Sequence, residues 1–339
     1  MPAAVPKLTV VIPVYNEEQV LPTLFARLYP ALDQLGISYE CLFVNDGSKD
    51  RSAALLRQQF QRRPRETRVV LFHANFGQHS AVMAGLAHAR GNYVITLDAD
   101  LQNPPEEIGK LVAMLDQGYD YVGTIRQQRQ DRLWRRSLSK GVNKVREWIT
   151  PVRITDQGCM MRGYSRYVVE ALNQTREVNT FIPALASLYA MNPIEVPIAH
   201  EERHAGKSKY SLYSLIRLNF DLITGFSVVP LQIFSMIGMA VSLLSAALMI
   251  VLLARRLIIG SEAEGLFTLF AIMFFFIGLA LFGIGLLGEY VGRIYAQVRE
   301  RPRYVIEGIL EDTGEGTPAD ENAPLRVVSL PESGAGARL

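Results

Sequence analysis

Cysteine, net charge and glycine-rich phosphate motifs are all scarce in this chain of 339 residues, and each shortage removes a class of function. Two cysteines, Cys41 and Cys159, make no disulfide framework and match no zinc spacing, so the main fold is expected in a reducing compartment. A formal net charge of +2 argues against bulk nucleic-acid binding, and no nucleic-acid partner is expected. Ahead of the long apolar runs the chain contains neither G-x-G-x-x-G nor G-x-x-x-x-G-K-[ST], so neither a dinucleotide site nor a P-loop is indicated. The start, MPAAVPKLTVVIPVYN, lacks the charged segment and apolar core of a signal peptide. The folded part is therefore expected in the cytosol.

What the chain has in excess is uncharged length. Val228 to Leu253 and Leu266 to Leu287 carry no charge, and each reaches the roughly 20 residues that a bilayer-crossing helix needs. Two transmembrane helices joined by a short loop, a hairpin over residues 228–288, are the expectation. Arg203, Lys207, Lys209 and Arg217 precede the pair, and Arg293, Arg299, Arg301 and Arg303 follow it. They outweigh Arg255 and Arg256 in the loop, which places both flanks in the cytoplasm. Between Tyr210 and Phe226, apolar residues at helical spacing suit an amphipathic helix lying on the membrane, or else a packing helix of the soluble domain. Residues 289–310 form a cytoplasmic C-terminal segment, and the Gly, Pro and acid-rich tail from Glu311 to Leu339 is expected to be disordered.

Residues 1–209 alternate strand and helix signals. LTVVIPV (Leu8–Val14), YECLFVN (Tyr39–Asn45), TRVVLF (Thr67–Phe72) and YVITL (Tyr93–Leu97) are β-branched or apolar runs separated by stretches long enough for helices. This spacing predicts an α/β domain with a mostly parallel sheet, whose ligands bind beyond the carboxyl ends of the strands. Polar clusters fall at those ends: Tyr15-Asn16-Glu17, Asp46-Gly47-Ser48, Asn75-Phe76-Gly77 and Asp98-Ala99-Asp100. Four such loops on one edge make a site.

Asp98 and Asp100 suit Mg²⁺ or Mn²⁺ bound jointly with substrate phosphates, as hard oxygen ligands that leave coordination positions open. They also suit a solvated turn or helix cap, because Asn103-Pro104-Pro105 starts a helix expected over Pro105–Gln117. A second substrate in the bilayer follows from the apolar pair and its basic flanks. Basic residues run from Arg126 through Arg135 to Arg146, interleaved with Trp134, Val142 and Trp148. They read either as a solvated face or as a basic amphipathic helix in which Arg126 and Arg135 meet a lipid phosphate. Asp156 in DQGCMMR is a candidate to orient acceptor or sugar, and equally a turn residue.

VVIPVYNE, the DGS after the second strand, LDAD, and RHAGKSKYS ahead of the apolar pair resemble the inverting, nucleotide-sugar-dependent polyprenyl-phosphate glycosyltransferases of glycosyltransferase family 2. The likeness spans residues 7–305. NFGQHSAVMAG, LDADLQNPPEEI, VGTIRQQRQD, NTFIPALA and LLGEYVGRIYAQVRERPRY are similar to the branch that loads 4-deoxy-4-formamido-L-arabinose onto undecaprenyl phosphate for lipid A modification and polymyxin resistance. The resemblance implies a GT-A fold, a UDP-sugar donor, an undecaprenyl phosphate acceptor and a homo-oligomer in the bacterial inner membrane. It implies that Pro13, Tyr15, Glu17 and Asp46 hold the uridine, that Asp98 lies near ribose and diphosphate, and that Asp100 ligates the metal. Arg203 and Lys209, in E-x-R-x-x-G-x-S-K-Y, match residues that close over the diphosphate. One departure is Asn45, where the family usually has aspartate, so the role of that position is open. Bactoprenol glucosyl and dolichyl-phosphate-mannose-type synthases remain the nearest alternatives. A processive synthase fits less well, for lack of Q-x-x-R-W, as does a silent scaffold, given Asp98, Asp100, Arg203 and Lys209 together.

Overall fold

The structure is a computed structural model that describes residues 5–126, 159–175, 181–201, 228–259, 266–298 and 302–312. Expectations for the helix over 210–227, for the basic residues from Arg129 to Arg146 and for the tail beyond 312 fall outside the described residues. The chain divides into two units, one holding the whole sheet and the other holding two long helices.

Strands β1 (Leu8–Val14), β2 (Tyr39–Asn45) and β3 (Thr67–Phe72) form where the apolar runs predict them, and β4 covers Tyr93–Thr96. β1 pairs in parallel with both β2 and β4, and β2 pairs in parallel with β3. Helices α1 (Leu21–Asp33), α2 (Ser52–Arg62) and α3 (Gln78–His88) make the crossovers. Because the chain runs outward from β1 to β3 and then returns beside β1 at β4, the strand order reverses there. A crevice opens at such a reversal, beyond the carboxyl ends of β1 and β4.

The expected helix over Pro105–Gln117 is instead a 3₁₀ turn at Pro105–Glu107 followed by α4 (Ile108–Asp116). Pro104 and Pro105 supply no N–H, so the start of the segment tightens before regular α-helical bonding begins. The rest of the sheet has no counterpart in the sequence reading. β5 (Tyr121–Arg126), β6 (Arg162–Ser165), β7 (Pro193–Ile198) and β8 (Ile306–Leu310) complete one eight-stranded sheet in the order β7-β5-β6-β4-β1-β2-β3-β8. β6 runs antiparallel to both β4 and β5, so β5 points the same way as β4. β7 is parallel to β5. The carboxyl ends of β5 and β7 thus share the edge where β1 and β4 end. Helices α5 (Arg166–Gln174) and α6 (Ile182–Tyr189) follow β6.

The core is the apolar interior of this sheet, filled by Val10, Ile12, Phe43, Val69 and Ile95 against Leu24, Leu28, Leu111 and Leu115 of the helices. α3 buries Ala81, Ala84 and Gly85, residues small enough to let the helix lie close on the strands. A Cβ at Gly85 would come within 2.1 Å of a Val11 methyl. That close approach fixes where the amino end of α3 emerges over the edge.

In the second unit, α7 (Val229–Ile259) and α8 (Leu266–Val298) cover both uncharged runs. Among the described residues one segment, Met273–Gly292, is long and apolar enough to cross a membrane, with a mean hydropathy of 1.9. The apolar stretch Val229–Val241 falls short of that length. Phe234 packs directly over Gly283, and a Cβ there would lie 2.2 Å from the ring. Small residues commonly admit such close contacts between apolar helices.

Candidate functional site

β1 is followed by Tyr15, which is exposed, and Asn16, which adopts φ 56°. Asparagine tolerates this left-handed backbone better than most residues. The turn is tied to the loop after β2: Asn16 N–H donates to Ser48 Oγ at 3.0 Å, and Lys49 N–H donates to Asn16 Oδ1 at 2.8 Å. Glu17 N–H reaches Ser52 Oγ at 2.9 Å. Pro13 lies half-buried near the end of β1, on the strand that leads into this turn.

Asp46 follows β2 and is only 2% exposed. Its Oδ1 accepts from Phe76 N–H at 2.6 Å and its Oδ2 from Gly77 N–H at 2.9 Å, so the carboxylate braces the loop between β3 and α3. Burial pushes the Asp46 carboxyl up, and the two amide donors oppose that shift. Gly47, at φ 61°, lets the two loops meet, since a Cβ there would fall 2.4 Å from the carbonyl carbon of Ala74. Gly47→Ala is expected to lower stability by about 1–3 kcal/mol, through a strained φ and a backbone clash. Thermal melting checks this, and an unchanged melting temperature would refute the close-packed turn. Beside Asp46, the side-chain oxygen of buried Asn45 has no hydrogen-bond partner among the described residues.

After β4 the chain makes a second strained turn. Leu101 is fully buried at φ 60°, a conformation unusual for a bulky side chain. It sits between Asp100, whose Oδ1 accepts from Gln102 N–H at 3.1 Å, and Asn103, which is also buried. Gln78, the first residue of α3, donates from Nε2 to Asp98 Oδ1 at 2.7 Å. The two aspartates are therefore each held at one oxygen by an amide. Two hard carboxylates at one strand end suit a divalent cation shared with phosphate oxygens. Among the described residues no group of three or more His, Cys, Asp or Glu side chains forms a self-sufficient metal cluster.

The segment after β7 is anchored to this turn. Glu201 N–H donates to Gln102 O at 2.9 Å, and Arg27 of α1 forks between both oxygens of Glu201 and both of Glu106 at 2.9 Å. These carboxylates, Glu201 first, push the Arg27 pKa further up. Glu201 opens the stretch that continues to Arg203 and Lys209.

The structure therefore gathers Pro13, Tyr15, Glu17, Asp46, Asp98 and Asp100 at one sheet edge, with Arg126, the last residue of β5, at that same edge. Arg135, Asp156, Arg203 and Lys209 lie outside the described residues. Sequence reasoning missed Gln78 and Arg27. Gln78 could have been found as the first helical residue after a strand-end loop, whereas nothing local marks Arg27.

A family model for glycosyl transferase family 2 matches residues 9–172. The undecaprenyl-phosphate 4-deoxy-4-formamido-L-arabinose transferase of Edwardsiella ictaluri (strain 93-146) is 50% identical over 304 residues, which cover 89% of this chain and 94% of that protein. Among solved structures, glucosyl-3-phosphoglycerate synthase from Mycobacterium tuberculosis in complex with uridine diphosphate aligns with a TM-score of 0.44 at 17% identity, over 65% of this chain and 78% of that one. Mannosyl-3-phosphoglycerate synthase from Rubrobacter xylanophilus aligns at 0.46 with 15% identity, over 64% and 72%. The matched family and the mostly parallel sheet make this a GT-A-like α/β fold.

Proposed function

The chain belongs to the undecaprenyl-phosphate 4-deoxy-4-formamido-L-arabinose transferases of glycosyl transferase family 2, and from that premise we propose that it transfers this sugar from UDP to undecaprenyl phosphate with inversion. The observation that carries the reading is half-identity sustained over 94% of a relative with that activity in its name. The site's chemistry supports it. A phosphate monoester with a second pKa near 6 is largely dianionic at neutral pH, so the acceptor needs no strong general base. Its oxygen attacks the anomeric carbon, the bond from that carbon to the diphosphate oxygen breaks, and UDP departs with the electron pair.

Catalysis then consists of aligning two anions that repel each other and stabilising the leaving diphosphate. Tyr15, Glu17 and Asp46 frame the nucleotide end, with Pro13 behind them. Arg203 and Lys209 bring positive charge to the diphosphate, and Asp156 orients acceptor or sugar. Arg126 and Arg135 hold the lipid phosphate through charge-assisted hydrogen bonds. A Mg²⁺ or Mn²⁺ ion held by Asp98 and Asp100 supplies further charge neutralisation when bound.

Chain connectivity supports a membrane hairpin. The chain leaves the sheet after β7 and rejoins the same sheet at β8, so the intervening segment begins and ends in one compartment. Such a segment crosses a bilayer an even number of times. One span at Met273–Gly292 therefore calls for a second, and α7 at about 1.5 Å per residue is long enough to supply it. Phe274, Phe275, Leu281, Phe282 and Ile284 are all exposed on α8, as lipid-facing residues would be. The catalytic unit then sits at the cytoplasmic face of the membrane.

The test is mass spectrometry of the lipid formed by detergent-solubilised enzyme from undecaprenyl phosphate and a panel of UDP-sugars. Preferential appearance of the formamido-arabinosyl lipid is expected. A glucosyl or mannosyl lipid as main product would reassign the donor, and no lipid product from any sugar would sink the enzyme reading.

A further inference from the structure

The described chain resumes at Pro302, four residues beyond α8, and straps back across the sheet-bearing unit. Arg303 Nη2 donates to Thr175 O at 2.5 Å, and His73 N–H donates to Val305 O at 3.1 Å. Between these ties, the Tyr304 ring stacks on Phe72, with centroids 5.0 Å apart and planes 8° from parallel. Phe72 in turn meets Phe76 edge to face at 5.8 Å. Phe76 is the residue whose N–H caps Asp46 Oδ1, and Gln78, two residues on, holds Asp98. A continuous path of contacts thus runs from the C-terminal strap through two phenylalanines to both carboxylates of the nucleotide end.

The strand pairing explains why the ring matters. β8 runs antiparallel to β3, but the register shifts between Leu71 and Phe72, where the regular ladder gives out. Beyond that point the loop to α3 is held by His73 N–H on Val305 O, the Asn75 amide on Asp46 O, the close approach of Gly47 to Ala74, two backbone donors on Asp46, and the ring packing of Phe72 and Phe76. Phe72 is only 2% exposed, and Tyr304 lies flat against it. Aromatic pairs in this geometry add to stability beyond the area they bury, and their few rotamers make them stiff spacers.

We propose that Tyr304 is a positioning residue of the donor site, acting through Phe72 and Phe76 to hold the loop that sets Asp46 and Gln78. The nucleotide end is then completed by a segment that follows the apolar helices in sequence. This rests on the reading of that edge as the UDP-sugar site. A strap that merely staples β8 to the sheet would affect stability alone, and the far end of the strap provides that contrast. Glu311 Oε2 accepts from Arg68 at 3.1 Å and Arg90 at 2.5 Å, and neither partner belongs to the aromatic path.

The experiment titrates UDP into full-length detergent-solubilised protein, measures both Michaelis constants, and records thermal melting. Tyr304→Ala is expected to weaken UDP binding about three- to ten-fold, the range one aromatic pair supports, with the lipid Michaelis constant unmoved. Tyr304→Phe restores UDP affinity, because the ring and not the hydroxyl makes the contact. Glu311→Gln lowers the melting temperature without touching UDP affinity. Should Tyr304→Ala fail to fold, Tyr304→Leu keeps the apolar cover and gives the same shift in smaller measure. Unchanged UDP affinity in the alanine or leucine variant would overturn the inference. So would equal losses in the Tyr304→Ala and Glu311→Gln variants, in proportion to melting temperature. A wild-type protein that does not bind UDP would overturn the donor reading itself, and this inference with it.

Discussion

Asp100→Ala abolishes transfer of sugar to the lipid while the protein remains folded and in the membrane. Asp100 sits in the turn between β4 and the 3₁₀ segment, where its Oδ1 accepts from the Gln102 N–H, a local bond that the turn can lose at modest cost. Its removal leaves the core untouched. On the proposed reading, what disappears is one of two hard oxygen ligands for a cation at the diphosphate, and with it a means to neutralise charge on the leaving group. Loss of such stabilisation typically costs about 10²–10³ in rate, and more where a cation is released as well. Two measurements separate the causes: product lipid by mass spectrometry, and Mn²⁺ binding by the purified protein without substrate and with UDP. Asp98→Asn should be milder, because Gln78 can still reach a side-chain oxygen there. Metal-stimulated turnover near wild type in Asp100→Ala would remove this carboxylate from the site.

The largest expected loss of stability lies at the opposite edge of the sheet. Glu40, 4% exposed, accepts from Thr9 Oγ1 at 2.7 Å, from Arg90 N–H at 2.8 Å and from Arg68 Nη1 at 3.2 Å. Thr9, Glu40 and Arg68 are the second residues of three neighbouring parallel strands, so this ion pair pins their amino ends together. Arg68 is itself buried, and its Nε already lacks a partner among the described residues. Glu40→Ala would leave that guanidinium with Glu311 and the His88 carbonyl, and would take the acceptor from the Thr9 hydroxyl and from the Arg90 amide. Removing one member of a buried pair costs about 3–5 kcal/mol, and the Glu311 contact keeps the value toward the lower end. For a unit of this size the melting temperature should fall by roughly 10 °C. Glu40→Gln, which keeps shape and acceptor, should lose much less. Because the carboxylates of the candidate site lie at the other strand ends, UDP affinity of the folded fraction should not change. A loss under about 1 kcal/mol in Glu40→Ala would mean that Glu311 and solvent compensate the Arg68 charge without Glu40, and would refute its pinning role.

The two effects differ in origin, as do the routes by which their residues were recognised. Asp100 was legible as a candidate because it stands where an apolar run stops, and ligands bind beyond the carboxyl ends of parallel strands. β1, β2, β3 and the start of β4 were legible for the same reason: short β-branched runs between helix-length spacers leave little else for the chain to do. The two uncharged runs were equally plain, since length without charge is a local property. None of this required knowing which strand lies beside which.

Only the tertiary structure decided the rest. β6 is only four residues long and β7 is largely half-exposed, and β5, β6 and β7 form strands through neighbours supplied by β4 and by one another. β8 joins the sheet although it follows the apolar helices in sequence, and Arg68 finds Glu311 across 243 residues. Gln78 meets Asp98, and Arg27 meets Glu201, because the crossovers bring helix ends and strand ends to one edge. Asp46 shows both levels at once. Its position after β2 marked it as a site residue, whereas its hold on Phe76 and Gly77 emerged only when β2 and β3 lay side by side. Local pattern determines where a strand or span can form, because backbone geometry and hydrophobic burial act over a few residues. Which polar groups become partners is set by burial in the assembled sheet, where an unpaired donor or charge costs more than the chain can spare.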